Sequence, residues 1–501
     1  MMYEGVRLPR RRALSAGLSA AGALLAAPVL AGCSAGGLVT QLQQTIKPPT
    51  LTVFLLGGAS GNGNVLQGFG KPLQAALAVA QKQVAGLGGT TFQTGNDPTS
   101  WFPLPTTLFN VGADQAARSD DPSLPMPDVV IASHTQMPNY LANRALDLQP
   151  YVKLSAPALQ GVSAQALRLG EAFGFGQGTF QAALPLMRIP LMCTVAPGIT
   201  AVTGGKAWTA DQFLQTLDRL SLDYGRPNAP MAPVPFAFGV AEMAAVGSGG
   251  TLAVSTSTTC QATFGDGAAA QGLAMTVQWG HNAPKVPTFR NPTFTYAILM
   301  YDGQTILESG GKPIVFARNG QAPSAAGWTV APVPVFPSRP AQPVRSIDVM
   351  VFRHTKAPSV AASLAVALLS AEAQAAFLQY SGALSIRTNQ ALAQLTRSIP
   401  NVQGAALIAN PANDITSDDA YGPLTDQNMA ARTTVQTDLL TALQAMMPAS
   451  AGIWFSFDSQ NGPGGPNFGR VGNATVQAGE TPQQVLQAAQ SAANAGKPFT
   501  G

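Results

Sequence analysis

Two short polar stretches of the 501-residue chain carry the residue types of a binding site. Gly58, Ser60 and Asn62 follow the apolar run 51–56, and Ser133, His134 and Thr135 follow the apolar run 127–132. In open α/β sheets ligands bind beyond the carboxyl ends of strands, where small polar side chains and turning backbone can hydrogen-bond a solute. Arg188 adds a rigid donor fork that suits a hydroxyl or a carboxylate. Trp279, and more weakly Trp101 and Trp328, offers a flat face on which a sugar ring can stack. Each has a plainer reading. The glycines can simply end strands, Arg188 can make an internal salt bridge, and a Trp is more often core or rim than platform.

Other chemistries find less support. The three histidines, His134, His281 and His354, are far apart and lack metal-like spacing to a Cys or a carboxylate, so no metal and no cofactor is expected. Residues 245–250 hold a Ser among glycines but no nucleophile elbow, and no phosphate-binding Walker loop is present. Two carboxylates brought together from distant points would make a glycosidase-type pair, which keeps an extracellular hydrolase as an alternative.

Cys33 carries a different chemistry. Arg7, Arg10, Arg11 and Arg12 precede an apolar stretch over residues 13–29, which closes on Leu30-Ala31-Gly32-Cys33. Charged, apolar and small-residue parts in that order form an export signal. The last four residues match the lipobox, in which a peptidase reaches the backbone past small residues and the cysteine is lipidated. Arg11-Arg12 also partly resembles a twin-arginine signal. Cys193 and Cys260 then remain; outside the cytoplasm they either pair or stay as buried thiols.

Charge supports the same division. The net charge of +4 is concentrated in the leader: loss of residues 1–32 removes four Arg and one Glu and leaves +1. A nearly neutral remainder lacks the basic footprint of a nucleic-acid binder. Charged residues are only 10% of the chain while 46% are hydrophobic, which excludes disorder and is ample for more than one core.

The elements that must position these residues follow from pattern. Residues 34–49 read as a flexible tether ending in Pro48-Pro49. Runs 51–56 and 127–132 read as buried parallel strands, the first followed by a polar loop and then a helix within 65–85. Helical spacing of Met137, Tyr140, Leu141 and Leu146 follows the second strand. Residues 183–192 form an extended crossover. Thr209 and Gln212 form a capping box for a helix carrying Phe213, Leu214, Leu217 and Leu220. Runs 330–337 and 347–352 read as strands, Pro358 opens a helical region with a second cap at Ser370, and Thr481-Pro482 opens the last helix. Residues 223–330 show only short apolar runs at 236–243, 273–279 and 294–301, and 461–470 reads as a surface loop.

In order, these pieces resemble the extracellular solute-binding protein family 1, the sugar-type receptors of bacterial ABC importers. The carrying segments are LTVFLLGG from residue 51, PDVVIASHTQMPNYLANRALDLQPYV from 127, AALPLMRIPLMCTVAP from 182, WTADQFLQTLDRL from 208, and the Ser370-x-Glu372-x-Gln374 helix pair with Ser381-Gly382 and Arg387. A terminal helix from Thr481 completes the series. The departure lies in 223–345, where Gly272-Leu273-Ala274-Met275 and Trp279 precede Tyr301-Asp302-Gly303-Gln304 rather than follow it.

The resemblance implies an α/β, two-lobed periplasmic-binding-protein fold of type II, each lobe a mixed sheet flanked by helices and joined by hinge crossovers. Residues 1–33 would be the signal, 34–49 the tether, 50–185 with 345–400 lobe 1, and 190–335 with 400–501 lobe 2. It implies a monomeric, membrane-anchored, extracytoplasmic receptor that captures a small polar solute, most plausibly a carbohydrate. The captured solute passes to permease subunits without catalysis. A lipoprotein that keeps the fold and has no transport ligand is the other alternative. The leader generates the first prediction: Cys33→Ser abolishes incorporation of labelled fatty acid and moves the protein from the membrane fraction to the soluble one, read by metabolic labelling and fractionation.

Overall fold

The computed structural model describes residues 48–56, 68–95, 127–134, 144–154, 156–174, 178–199, 206–223, 239–282, 298–308, 310, 327–379, 382–425, 427–447, 477 and 479–500. The leader, the tether, Cys33, Gly58, Ser60, Asn62, Trp101, Thr135 and the 461–470 loop lie outside these residues, as does most of the helix expected over 137–146.

The strands are β1 (Thr50–Leu56), β2 (Gly89–Gly95), β3 (Val129–Ser133), β4 (Glu171–Gly174), β5 (Gly178–Gln181), β6 (Ala183–Val195), β7 (Ala253–Ser255), β8 (Cys260–Ala262), β9 (Ile298–Asp302), β10 (Thr329–Pro332), β11 (Gln342–Val351), β12 (Leu384–Ser385) and β13 (Asp414–Ile415). Among the described residues nine of them form one mixed sheet in the order β10-β6-β11-β3-β1-β2, with β9 and β12 also on β6 and β13 on β11. β1 runs parallel to both β2 and β3, while β11 runs antiparallel to β3 and to β6. β4–β5 and β7–β8 are separate antiparallel pairs.

β6 is the longest strand, with 13 residues, all buried. At roughly 3.3 Å per residue it extends about 43 Å, long enough to serve two cores. Leu184, Leu186, Met187 and Ile189 pack into one core with β1, β3, the C-terminal half of β11 and the helices Gly70–Ala80, Pro358–Ala367 and Ala371–Leu378. Leu191, Cys193 and Val195 pack into a second core with the helices Ala210–Asp223, Val240–Gly247, Gly267–Asn282, Met429–Met446 and Pro482–Asn494. Pro190 stands where β6 passes between them, opposite Val344 of β11, and Pro343 is the next residue of β11. Proline lacks the N–H that a ladder needs, so Pro190 donates no ladder bond at this point.

The expected caps form. Thr209 and Gln212 exchange bonds of 2.9 and 3.2 Å, Thr481 and Gln484 close a second box, and Ser370 accepts from the Ala373 amide. In the first core Phe69 meets Phe377 edge-on at 5.6 Å. The expected strand over 330–337 is shorter, Thr329–Pro332, since Pro332 and Pro334 interrupt its donor pattern. In the described part of the poorly legible region the helices Val240–Gly247 and Gly267–Asn282 and the strand β9 hold residues 240–243, 273–279 and 298–301 of its apolar runs.

Two residues depart from what their types suggested. Trp279 is not a sugar platform. It is fully buried in the second core, with ring centroids of Phe213 at 4.6 Å and Phe336 at 5.5 Å, and has no exposed face for a solute. Trp328 is buried as well. Cys193 and Cys260 are both buried and free, and burial pushes both thiols up from their ordinary range. The aromatic cluster sets the second prediction: Trp279→Ala costs about 3–5 kcal/mol, the range of large-to-small aromatic deletions in cores, measured by denaturant unfolding.

Candidate functional site

β3 places Ser133 and His134 at its carboxyl end, as its pattern suggested. Ser133 is buried and pairs in register with Ile347 of β11. His134 follows it and keeps 21% of its side chain exposed. Its Nδ1 lies 2.8 Å from Asp348 Oδ2, and its Nε2 lies 3.1 Å from Asp418 Oδ2. Asp348 comes from β11 just where the register with β6 shifts between Ile347 and Asp348. Such a bulge re-aims a side chain. Asp348 is fully buried, and its Oδ1 has no hydrogen-bond partner among the described residues, so His134 is the group that compensates it.

Asp418 belongs to the helix Ser417–Tyr421, beyond the second core's Ile415. Its Oδ1 accepts from Arg432 Nη1 at 2.9 Å. Arg432 also donates to the Gly422 carbonyl at 2.7 Å and lies over the Tyr421 ring at 5.2 Å. The electrostatics follow from this packing. Burial alone would lower the His134 pKa, but hydrogen bonds and charge from Asp348 and Asp418 outweigh it and hold the imidazole well above its ordinary value. Burial would raise Asp418, yet Arg432 and His134 pull its carboxyl down to about 2. The arrangement is an imidazole between two carboxylates that favour its protonated form, with a guanidinium behind the second.

Arg188 does not face a solute. It is fully buried in β6 and every guanidinium nitrogen is used within the protein. Nη1 donates to Asp414 Oδ1 and Oδ2 at 2.6 and 2.7 Å, Nε to the Ser385 carbonyl at 3.0 Å, and Nη2 to the Ile408 carbonyl at 2.8 Å. Arg188 therefore makes an internal salt bridge, because a buried guanidinium must find its partners locally. Burial pushes the Asp414 carboxyl up against the opposing pull of Arg188.

The other polar residues of the family-like segments also do internal work. Gln374, fully buried, donates to the Leu186 carbonyl of β6 at 2.7 Å. Arg387 donates to the Leu369 carbonyl at 2.8 Å and to the Ala158 and Gln160 carbonyls. Gln374 ties the helix Ala371–Leu378 to the crossover strand, and Arg387 ties the turn at Leu369 to residues 158 and 160.

Of the residues singled out in the sequence, the structure brings Ser133 and His134 to a strand end and sets Arg188 and Trp279 in the interior. Asp348, Asp418, Arg432 and Asp414 were not singled out. One signal pointed to them: Asp414, Asp418 and Asp419 fall within six residues of a chain that has only 24 acids in all.

No family model and no curated protein match the chain. Solved structures do. The cyclic alpha-maltosyl-1,6-maltose binding protein from Arthrobacter globiformis matches with a TM-score of 0.57 at 15% identity, covering 89% of this chain and 98% of that one. The sugar-binding protein MalE from Xanthomonas citri matches with a TM-score of 0.59 at 14% identity, covering 89% and 97%. An ABC substrate-binding protein from Listeria monocytogenes, in complex with cycloalternan, matches with a TM-score of 0.52 at 11% identity, covering 89% and 98%. The chain has the α/β fold of these bacterial binding proteins. The crossover pair sets the third prediction. Arg188→Met or Asp414→Asn alone costs about 3–5 kcal/mol by leaving a buried partner uncompensated, whereas the apolar double variant Arg188→Met with Asp414→Leu recovers most of that loss. Chemical denaturation of the three proteins measures it.

Proposed function

We propose that this protein is an extracytoplasmic solute-binding receptor of an ABC importer, lipid-anchored at Cys33, that captures a small polar solute, a carbohydrate, between two lobes and hands it to a permease. The observation that carries the reading is the division of one continuous sheet into two cores through β6 and β11, with proline at the passage. It is joined by likeness in fold to proteins whose named ligands are maltosyl sugars and cycloalternan.

On this reading lobe 1 comprises about residues 50–185 and 345–400, and lobe 2 about 190–335 and 400–501. The prolines at 190 and 343 let the crossovers bend, and the two lobes close on a solute about that hinge. The contacts to the solute are assigned, on the same reading, to Gly58, Ser60, Asn62, Ser133, His134 and Thr135 of the polar stretches that follow the first and second apolar runs. Hydroxyl and amide groups of the polar stretches exchange hydrogen bonds with sugar hydroxyls, which suits a neutral solute, while both ring nitrogens of His134 are held by Asp348 and Asp418. On this reading the solute is captured without catalysis; Asp348 and Asp418 are both engaged by His134.

The test is a thermal-shift panel of maltose, maltodextrins, cyclic glucans and polyols. One class raises the melting temperature in a concentration-dependent way, by a stabilisation of about 2.7 kcal/mol at a hundred times its Kd. Chromatography then recovers that solute unchanged. Turnover of the sugar would support a hydrolase instead, and a panel without any shift would support the lipoprotein that carries no ligand.

A further inference from the structure

The three acids of the segment 414–419 are each taken by a cation from the other core's side. Asp414 pairs with Arg188 of β6, Asp418 with His134 beyond β3, and Asp419 with Arg168 at the end of the helix Ala164–Arg168. Ile415, Ala420 and Tyr421 of this segment pack in the second core, whereas Ala166, Ile131 and Ile189 beside the three cations pack in the first. One short segment thus links the two cores by three charged teeth.

The teeth differ in strength. Arg188–Asp414 is fully buried, with both carboxylate oxygens bonded by Nη1 at 2.6 and 2.7 Å. Arg168–Asp419 spans 3.2 Å with the arginine 59% exposed, the kind of pair that water and salt weaken. His134 stands between them and is the one cation of the three that can lose its charge near neutral or alkaline pH.

We propose that His134 is the releasable tooth of this latch, and that loss of its proton frees the helix Ser417–Tyr421 from the end of β3 and so loosens the two lobes at the mouth of the cleft. The purpose of the latch rests on the two-lobed receptor reading; its existence does not.

The direction follows from donor counting. A protonated imidazole has two N–H groups and serves Asp348 and Asp418 together; a neutral one has a single N–H and serves one of them. Asp348 is buried without another partner among the described residues, so it retains the bond. Asp418 keeps Arg432 and can leave. The charged groups facing His134 are Asp348 from β11 and Asp418 from the helix Ser417–Tyr421. Arg432 stands behind Asp418, and the Asp419–Arg168 pair lies beside it. Because the imidazole pKa is raised on folding, the latch contributes fully below about pH 6.5 and is lost as pH rises through the folded value. Asp418, lowered to about 2, keeps its charge throughout the mildly acidic range.

Hydrogen exchange of the full-length protein, read by mass spectrometry without any solute, tests this. The protein has only three histidines, well separated, so exchange at the imidazole carbon of the His134 peptide reports its titration directly. We expect a midpoint well above the ordinary imidazole value. We also expect amide protection of the 414–422 peptide, corrected for intrinsic rates, to fall about tenfold through that same midpoint. The 482–494 helix serves as the unchanged internal reference. Asp418→Asn lowers the His134 midpoint and removes the pH step, His134→Gln gives the low-protection state at every pH, and Arg168→Gln, an exposed change that keeps the fold, leaves the step in place and enlarges it. A His134 midpoint at or below its ordinary value would overturn the proposal. So would unchanged 414–422 protection while His134 titrates, or wild-type protection in His134→Gln. A sugar panel that shows no binding would defeat the receptor reading and leave these measurements standing.

Discussion

A guanidinium buried in the middle of a strand constrains everything around it. Arg188 sits in β6 with no access to water, and such a charge is tolerated only where every donor finds a partner. The protein supplies those partners from three separate places: the Asp414 carboxylate, the Ser385 carbonyl and the Ile408 carbonyl. β12 and β13 therefore have to dock beside β6 and β11 at this level. The passage between the two cores is defined by this one side chain more than by any apolar contact. Hydrophobic packing is non-directional and would allow the cores to slide; a satisfied buried fork allows one register.

The same region concentrates the charge of a chain that has little of it. With charged residues at 10%, most of the surface is carried by neutral polar side chains. Yet Arg188, Arg168, His134 and Arg432 meet Asp414, Asp418, Asp419 and Asp348 along one seam. Placing ion pairs there matches their physics. They are long-ranged and reversible, and each carries a direction that an apolar seam would lack. The core faces on either side stay apolar, with Trp208, Phe213, Trp279 and Phe336 packed in the second core and Phe69 with Phe377 in the first.

Legibility varied along the chain for identifiable reasons. Strands such as β1 and β3 were readable because a fully buried parallel strand is a short run of β-branched and large apolar residues between breakers. Helix starts at Thr209, Ser370 and Thr481 were readable because a cap is a local bond between neighbours in sequence. The helices Val240–Gly247 and Gly267–Asn282 were not. They are rich in Ala and Gly and largely buried, so they lack the contrast between a polar and an apolar face. Their small residues serve a close approach that the sequence does not announce: a Cβ at Gly272 would collide with the Ala244 carbonyl, and one at Gly250 with the backbone of Ala269. Trp279 misled for a related reason. A Trp has the same composition on a rim or in a core, and only the positions of Phe213 and Phe336 decide which.

The sequence by itself determined the alternation of strands and helices, the caps, the crossover strand and the placing of His134 at a strand end, because each of these depends on residues within a few positions of one another. Only the tertiary structure decided what His134 and Arg188 touch. Their acidic partners stand more than two hundred residues away, brought in by the return of the chain through β11 and the segment 414–419. Ion pairs at that separation leave no periodic trace, since any acid in the chain satisfies the local rules equally well and the folded path alone selects the one that meets the cation.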